Sequence, residues 1–265
     1  DPKKWSISAY QILGADGLID IFIPKNKGDF RCVDHSNYSR SNTNIDLEDA
    51  VEEIRRWPEP EHYADFLKSQ FESEYQNYKK NLLETQQQCG DSLLYMPAQW
   101  NAGAKINWYD TFGYENYFLL IGLYEKEARK LTEHGGVIGK HLSKLVARAI
   151  SEGIYPKAVL LGEDICSQRG PMVSPEFLEK YYAPQLREGL KPLLEVGCRP
   201  VWHCDGDVRP ILDMLIDCGI GGMQGFQPEC GLTLEYTAAK RTKSGGKMLI
   251  FGPLSVTSEL PKFTP

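Results

Sequence analysis

The chain has 265 residues, of which 42% are hydrophobic and 25% charged, with a net charge of −6. That length buries a full-sized core in one large α/β domain or two small ones. The acidic balance gives no general attraction to a phosphate backbone, and no apolar run approaches the ~20 residues that span a bilayer, so neither nucleic acid nor membrane is expected as a partner.

In chain order, Asp1-Pro2-Lys3-Lys4-Trp5 carries neither an initiator Met nor signal-peptide character, as expected of a fragment or a processed product. A helix is predicted near 6–13, followed by the apolar run Leu18–Ile23, stopped by Pro24, and a Ser- and Asn-rich loop over 34–45. Asp46-Leu47-Glu48-Asp49 opens an acidic-start helix that ends before Trp57-Pro58-Glu59-Pro60, where two prolines force extended backbone. A long polar helix follows over 61–88. The pattern divides near 90: residues 1–90 read as a helical and irregular part, and 91–265 as βα units of the same domain.

Strands are predicted at Leu93–Gln99, Lys157–Gly162, Arg199–His203, Gly222–Phe226 and Lys247–Phe251. Helices fill the spaces between them: one or two after Asp110 up to Ser151, then 174–197, Val208–Cys218 and Leu232–Lys243. Ser174-Pro175-Glu176 has the N-cap, first-turn proline and first-turn acid of a helix start. Alternating strands and helices with short loops imply a parallel sheet with helical crossovers, hence an open doubly wound sheet or a closed barrel. No dinucleotide fingerprint follows the first strand, which favours the barrel. Seven cysteines without small-scaffold spacing (32, 89, 166, 198, 204, 218 and 230) suit free thiols in a cytoplasmic protein.

Polar groups collect at four strand ends: Met96 to Asn101, Glu163-Asp164 with Gln168-Arg169 beyond, His203-Cys204-Asp205, and Gln224 to Cys230. If the strands are parallel, these groups meet on one rim, where α/β chemistry sits. Strand alternation places His203 and Asp205 on one face and turns Cys204 away. Two adjacent carboxylates behind an apolar run need a cation or hydrogen-bond donors, so one of Glu163 and Asp164 is expected to bind metal or substrate while the other orients its neighbours. The bland alternative makes one a turn acid and pairs the other with Arg169. Imidazole and carboxylate are competent zinc ligands, and zinc wants about four. The expected set is therefore His203, Asp205 and Glu163, with Cys230 as a further candidate. Asp164 is carried with His203 and Asp205 as catalytic. Gln168 and Arg169 are expected to orient an anionic substrate, with Trp100 and Gln227 as further substrate contacts. Trp100 and Tyr109 could wall an apolar pocket.

Three groups of residues resemble the uroporphyrinogen decarboxylase superfamily, which also holds cobamide-dependent methyltransferases. They are Gly162-Glu163-Asp164 through Gly170-Pro171-Met172-Val173-Ser174-Pro175-Glu176-Phe177, then Val201-Trp202-His203-Cys204-Asp205-Gly206-Asp207, then Gln227-Pro228-Glu229-Cys230-Gly231. The resemblance spans most of 46–260 and implies a (β/α)8 TIM-type barrel, incomplete at the termini of this chain, with its site on the C-terminal rim. Unpaired sheet edges in such a piece lead to an expectation of low solubility. The zinc methyltransferases of that group carry His-x-Cys where this chain has His203-x-Asp205, so their thiolate-rich site is not reproduced. The leading expectation is a methyltransferase that uses zinc and works with a corrinoid-binding protein or a methylated small molecule. The rivals are a metal-free decarboxylase of a tetrapyrrole or smaller acid, and a catalytically silent partner of a corrinoid protein.

Overall fold

The computed structural model describes residues 2–19, 45–225, 227–252, 255 and 262. The loop expected over 34–45, most of the Leu18–Ile23 run, Cys32 and Phe226 lie outside the described residues. The chain is mixed α/β with parallel strands. Strands β3 (Ala158–Gly162), β6 (Arg199–His203), β7 (Gly222–Gln224) and β8 (Leu249–Phe251) form a four-stranded sheet in that order. Every neighbouring pair in it is parallel. The two-residue strands β1 (Gly17–Leu18) and β2 (Leu94–Tyr95) also pair in parallel. The backbone after β2 continues alongside β3: Gln99 N–H donates to Leu160 O at 2.7 Å and Gly162 N–H donates to Trp100 O at 3.2 Å. Ile19, just past β1, and Phe251 of β8 line one small cavity together with Met96, Leu160 and Val201, so the strands curl toward one another.

Several elements are shorter than their patterns predict, each for a local reason. β2 stops at Tyr95, because Pro97 has no N–H to give a ladder. β7 stops at Gln224, where Gly225 takes φ +83, a conformation that favours glycine. The helix expected over Leu232–Lys243 is only Leu234–Ala239, capped by the Thr233 hydroxyl, because Arg241 instead bridges to Lys247 across the Gly245-Gly246 turn. The Ser174 hydroxyl caps its helix as expected, accepting from Phe177 N–H at 3.1 Å. That helix runs as Pro175–Phe177, a π turn Leu178–Tyr182, and Ala183–Glu195. Pro184 cannot donate to the preceding turn, and the wider π turn makes room for its ring.

Two long helices, Pro60–Cys89 and Glu125–Ser151, pack together, and the second also packs on Ala183–Glu195. Their apolar faces meet one side of the sheet through Val159, Leu161 and Trp202, all at most 2% exposed. A second cluster joins the Leu47–Arg56 helix to Trp108, Phe112, Tyr117 and Leu120. Among the described residues no helix is long and apolar enough to cross a membrane. The six described cysteines are all buried and unbridged.

Candidate functional site

β3 and β6 are in register with Gly162 beside His203, so the chain leaves both strands at the same height. Val201 and His203 face away from the helices, whereas Trp202 and Cys204 face into the helical core, as strand alternation requires. Cys204 is fully buried and its thiol donates to Asp205 O at 3.2 Å. His203 opens into a cleft of about 490 Å³, together with Glu163, Asp164 and Trp100. Residues of the following loop, among them Lys105, Asn107 and Tyr109, line it as well.

Asp164 and His203 of the cleft, together with the nearby Asp205, each offer one ligand atom, and these atoms all lie within 4.8 Å of one another. His203 Nε2 is 3.3 Å from Asp164 Oδ1, which also accepts from the backbone N–H of Asp205 at 3.0 Å. The other ring nitrogen, Nδ1, donates to Gln224 Oε1 at 2.6 Å. Gln224 sits beside His203 in the register of β6 and β7. A side-chain carbonyl can only accept, so Gln224 keeps the proton on Nδ1 and turns Nε2 toward the carboxylates. The Trp100 ring meets the imidazole edge-on, with centroids 5.4 Å apart. Gly225 leaves room for this arrangement: a Cβ there would stand 2.5 Å from His203 Nδ1.

The two adjacent acids divide their work, and the partition differs from the expected one. Asp164 joins the cluster. Glu163, 8% exposed, stands outside it and accepts from two successive backbone amides, Ile106 N–H at 3.2 Å and Asn107 N–H at 2.7 Å. Glu163 thus orients the 101–109 loop. Cys230 is not in the cluster either: its thiol lies 3.7 Å from Gln227 Oε1. Gln227 is buried and accepts from Gly206 N–H at 3.0 Å, which braces the turn after Asp205 instead of facing the cleft. Gln168 and Arg169 form the exposed tip of the short antiparallel hairpin β4 (Cys166–Ser167) and β5 (Gly170–Pro171), and they do not line the cleft. Arg169 makes no ion pair with Glu163; its backbone N–H donates to Ser167 Oγ.

Titration follows from these contacts. Burial pulls His203 down, but Asp164, Asp205 and Gln224 outweigh it and push its pKa up to about 9. Burial raises Asp164, yet the hydrogen bonds from His203 and the Asp205 amide hold it below the usual carboxylate range. Asp205 is raised by burial and by Asp164, with His203 opposing. Burial pushes Glu163 up to about 8 against its two amide bonds. Between the ordinary 4.5 and about 8, the folded protein therefore holds more proton at Glu163 than the unfolded chain does, and stability falls as pH rises across that window. The pairing of protonated His203 is fully stabilising below 6.5 and is lost as pH rises through about 9. Both groups act in the same direction, so the melting temperature of the metal-free protein is expected to decline steadily from mildly acid to mildly alkaline pH. Glu163→Gln should remove the earlier part of that decline, whatever its effect on absolute stability. A wild-type profile flat across neutral pH would contradict the buried proton.

Comparison with family models, with curated proteins and with solved structures finds no match to this chain. The site must therefore be read on its own chemistry. A histidine flanked by two carboxylates, part-buried at adjacent strand ends and fixed through its far nitrogen, is a donor set suited to a divalent ion such as zinc. Were these three residues to hold a metal, the adjoining cleft would leave a position for a substrate atom.

Proposed function

We propose that this chain is a zinc-dependent enzyme of the methyl-transfer type, built on a (β/α)8 barrel of which the described strands form a part. The observation that carries the reading is the convergence of Asp164, His203 and Asp205 within 4.8 Å at the end of a parallel sheet. Bound there, the metal would supply Lewis acidity to a substrate thiol or to a methoxy or amine leaving group. His203 and the two carboxylates hold it. Gln224 fixes the imidazole, Trp100 gives the cleft an apolar wall, and Glu163 keeps a proton near neutral pH. A corrinoid-binding protein as methyl carrier belongs to the same proposal, supported by the resemblance described above.

Zinc titration of protein stripped with a chelator tests it. One equivalent should bind and release a proton at neutral pH, because His203 must lose the proton that Asp164 otherwise stabilises. Gln224→Leu should weaken zinc by about 10–100-fold, the usual cost of removing the hydrogen-bond partner of a metal-bound histidine. One observation favours a second reading. Without metal, His203 is an imidazolium held by Asp164, a proton donor suited to decarboxylation. Absence of stoichiometric zinc together with carbon dioxide release from a carboxylated substrate would favour that reading over methyl transfer.

A further inference from the structure

The loop that Glu163 orients carries polar groups that the metal cluster does not use. Lys105 lines the cleft, its ammonium 4.4 Å above the Trp108 ring, and makes no ion pair among the described residues. Tyr109 is 6% exposed, and its hydroxyl has no hydrogen-bond partner. Asn107 Oδ1 is buried without a partner as well. Both atoms lie just below the cleft surface, and since buried polar atoms are ordinarily paired, a small side-chain rotation that let a ligand complete them would relieve their cost.

We infer that Lys105 and Tyr109 seat a single carboxylate of the substrate, and that Asn107 Oδ1 accepts from a hydroxyl or amine beside it. The inference rests on the cleft being the substrate site, as proposed above. An ammonium and a phenol hydroxyl both donate, which demands an acceptor; a lone amide oxygen demands a donor. His203 is engaged by Asp164, which leaves Lys105 as the cleft cation without an acidic partner among the described residues, and the neighbouring Asp110 and Glu163 make a phosphate dianion a poorer fit than a monoanion. The seat and the metal cluster share one cleft, so a small acid held at Lys105 would present its other end to Asp164 and His203.

The test uses the full chain freed of metal, with lactate, acetate, methyl lactate and inorganic phosphate as probes. Binding is read by the fluorescence of Trp100 and Trp108, which flank the seat. Lactate should bind saturably and more tightly than acetate, while methyl lactate and phosphate should not compete. Lys105→Gln should weaken lactate by roughly tenfold or more, Lys105→Arg should retain most of the binding, and Tyr109→Phe should cost roughly threefold to tenfold. Equal binding of methyl lactate, preference for phosphate, no binding of either carboxylate, or indifference to Lys105→Gln would each overturn the inference. Zinc is titrated into the same preparations separately. Protein that takes zinc but ignores lactate sinks the carboxylate seat alone, and protein that binds lactate but no zinc sinks the metal reading alone.

Discussion

Replacing His203 by Ala is expected to abolish stoichiometric zinc binding while the chain still folds. The imidazole supplies the one nitrogen donor of the cluster and stands close to both of its carboxylates. Its loss should exceed the ~10–100-fold that follows from disturbing a ligand's hydrogen-bond partner. It also leaves Asp164 and Asp205 to repel each other without their shared cation, so the metal-free variant should be less stable below about pH 9 than the wild type. Two measurements check this: metal content after dialysis against zinc, and the melting temperature with and without zinc. In the wild type, zinc at a hundredfold excess over its Kd should stabilise by about 2.7 kcal/mol, and in His203→Ala that increment should vanish. A variant that keeps its zinc would remove the central histidine from the proposed site.

The largest stability effect is expected at a residue with no polar chemistry. Gly135 and Gly139 lie one turn apart in the Glu125–Ser151 helix, and Gly189 lies in the Ala183–Glu195 helix packed against it. The 101–109 loop presses directly on these glycines. Lys105 N–H donates to Gly135 O at 3.0 Å and Gly103 N–H to Gly139 O at 3.2 Å. A Cβ on Gly139 would stand 2.4 Å from the backbone of Gly103 and Ala104, and one on Gly189 would stand 1.6 Å from Gly103 O. Alanine in a helix ordinarily gains ~0.5–1 kcal/mol over glycine. Here the backbone cannot yield as a flexible side chain would, and overpacking of this kind costs ~1–3 kcal/mol or more. Gly139→Ala should therefore lower the melting temperature by roughly 4–8 °C. Gly122→Ala, where a new Cβ meets nothing within 4 Å, should raise it slightly. Equal effects of the two changes would refute the close approach.

These glycines show why part of the site was legible in the sequence and part was not. The ends of β3 and β6 stand out because a short apolar run breaks abruptly into charge, and alternation alone separates His203 from Cys204. Ser174 and Asp46 announce their helix starts through local hydrogen bonds, the Asp46 carboxylate accepting from Asp49 N–H at 2.9 Å. By contrast, nothing local distinguishes Glu163 from Asp164. Their division is decided by the amides of Ile106 and Asn107, more than fifty residues away in sequence. Gln168 and Arg169 follow a strand end in sequence, but a two-residue hairpin carries them outward. Lys105 lies in Asn101-Ala102-Gly103-Ala104-Lys105, a stretch with no periodicity to read. Gln224 reads in the sequence as one of several polar groups at a strand end, and only the pairing of β6 and β7 puts it beside His203. The one available hint was the cost of Gly135 and Gly139 inside a long helix, which makes sense only if another backbone lies against them.

That loop is laced to the fold from several directions. Tyr182 and Tyr117 donate their hydroxyls to Ala104 O and Ile106 O, the Ser143 hydroxyl accepts from Gly103 N–H, and Glu163 takes the next two amides. An engineer wishing to retarget the cleft would therefore do poorly by lengthening or grafting this segment, since each inserted residue would unhook several anchors together. Point exchanges at 105 and 107, which line the cavity while their N–H groups stay bonded to Gly135 O and the Glu163 carboxylate, are the practical route to altered selectivity.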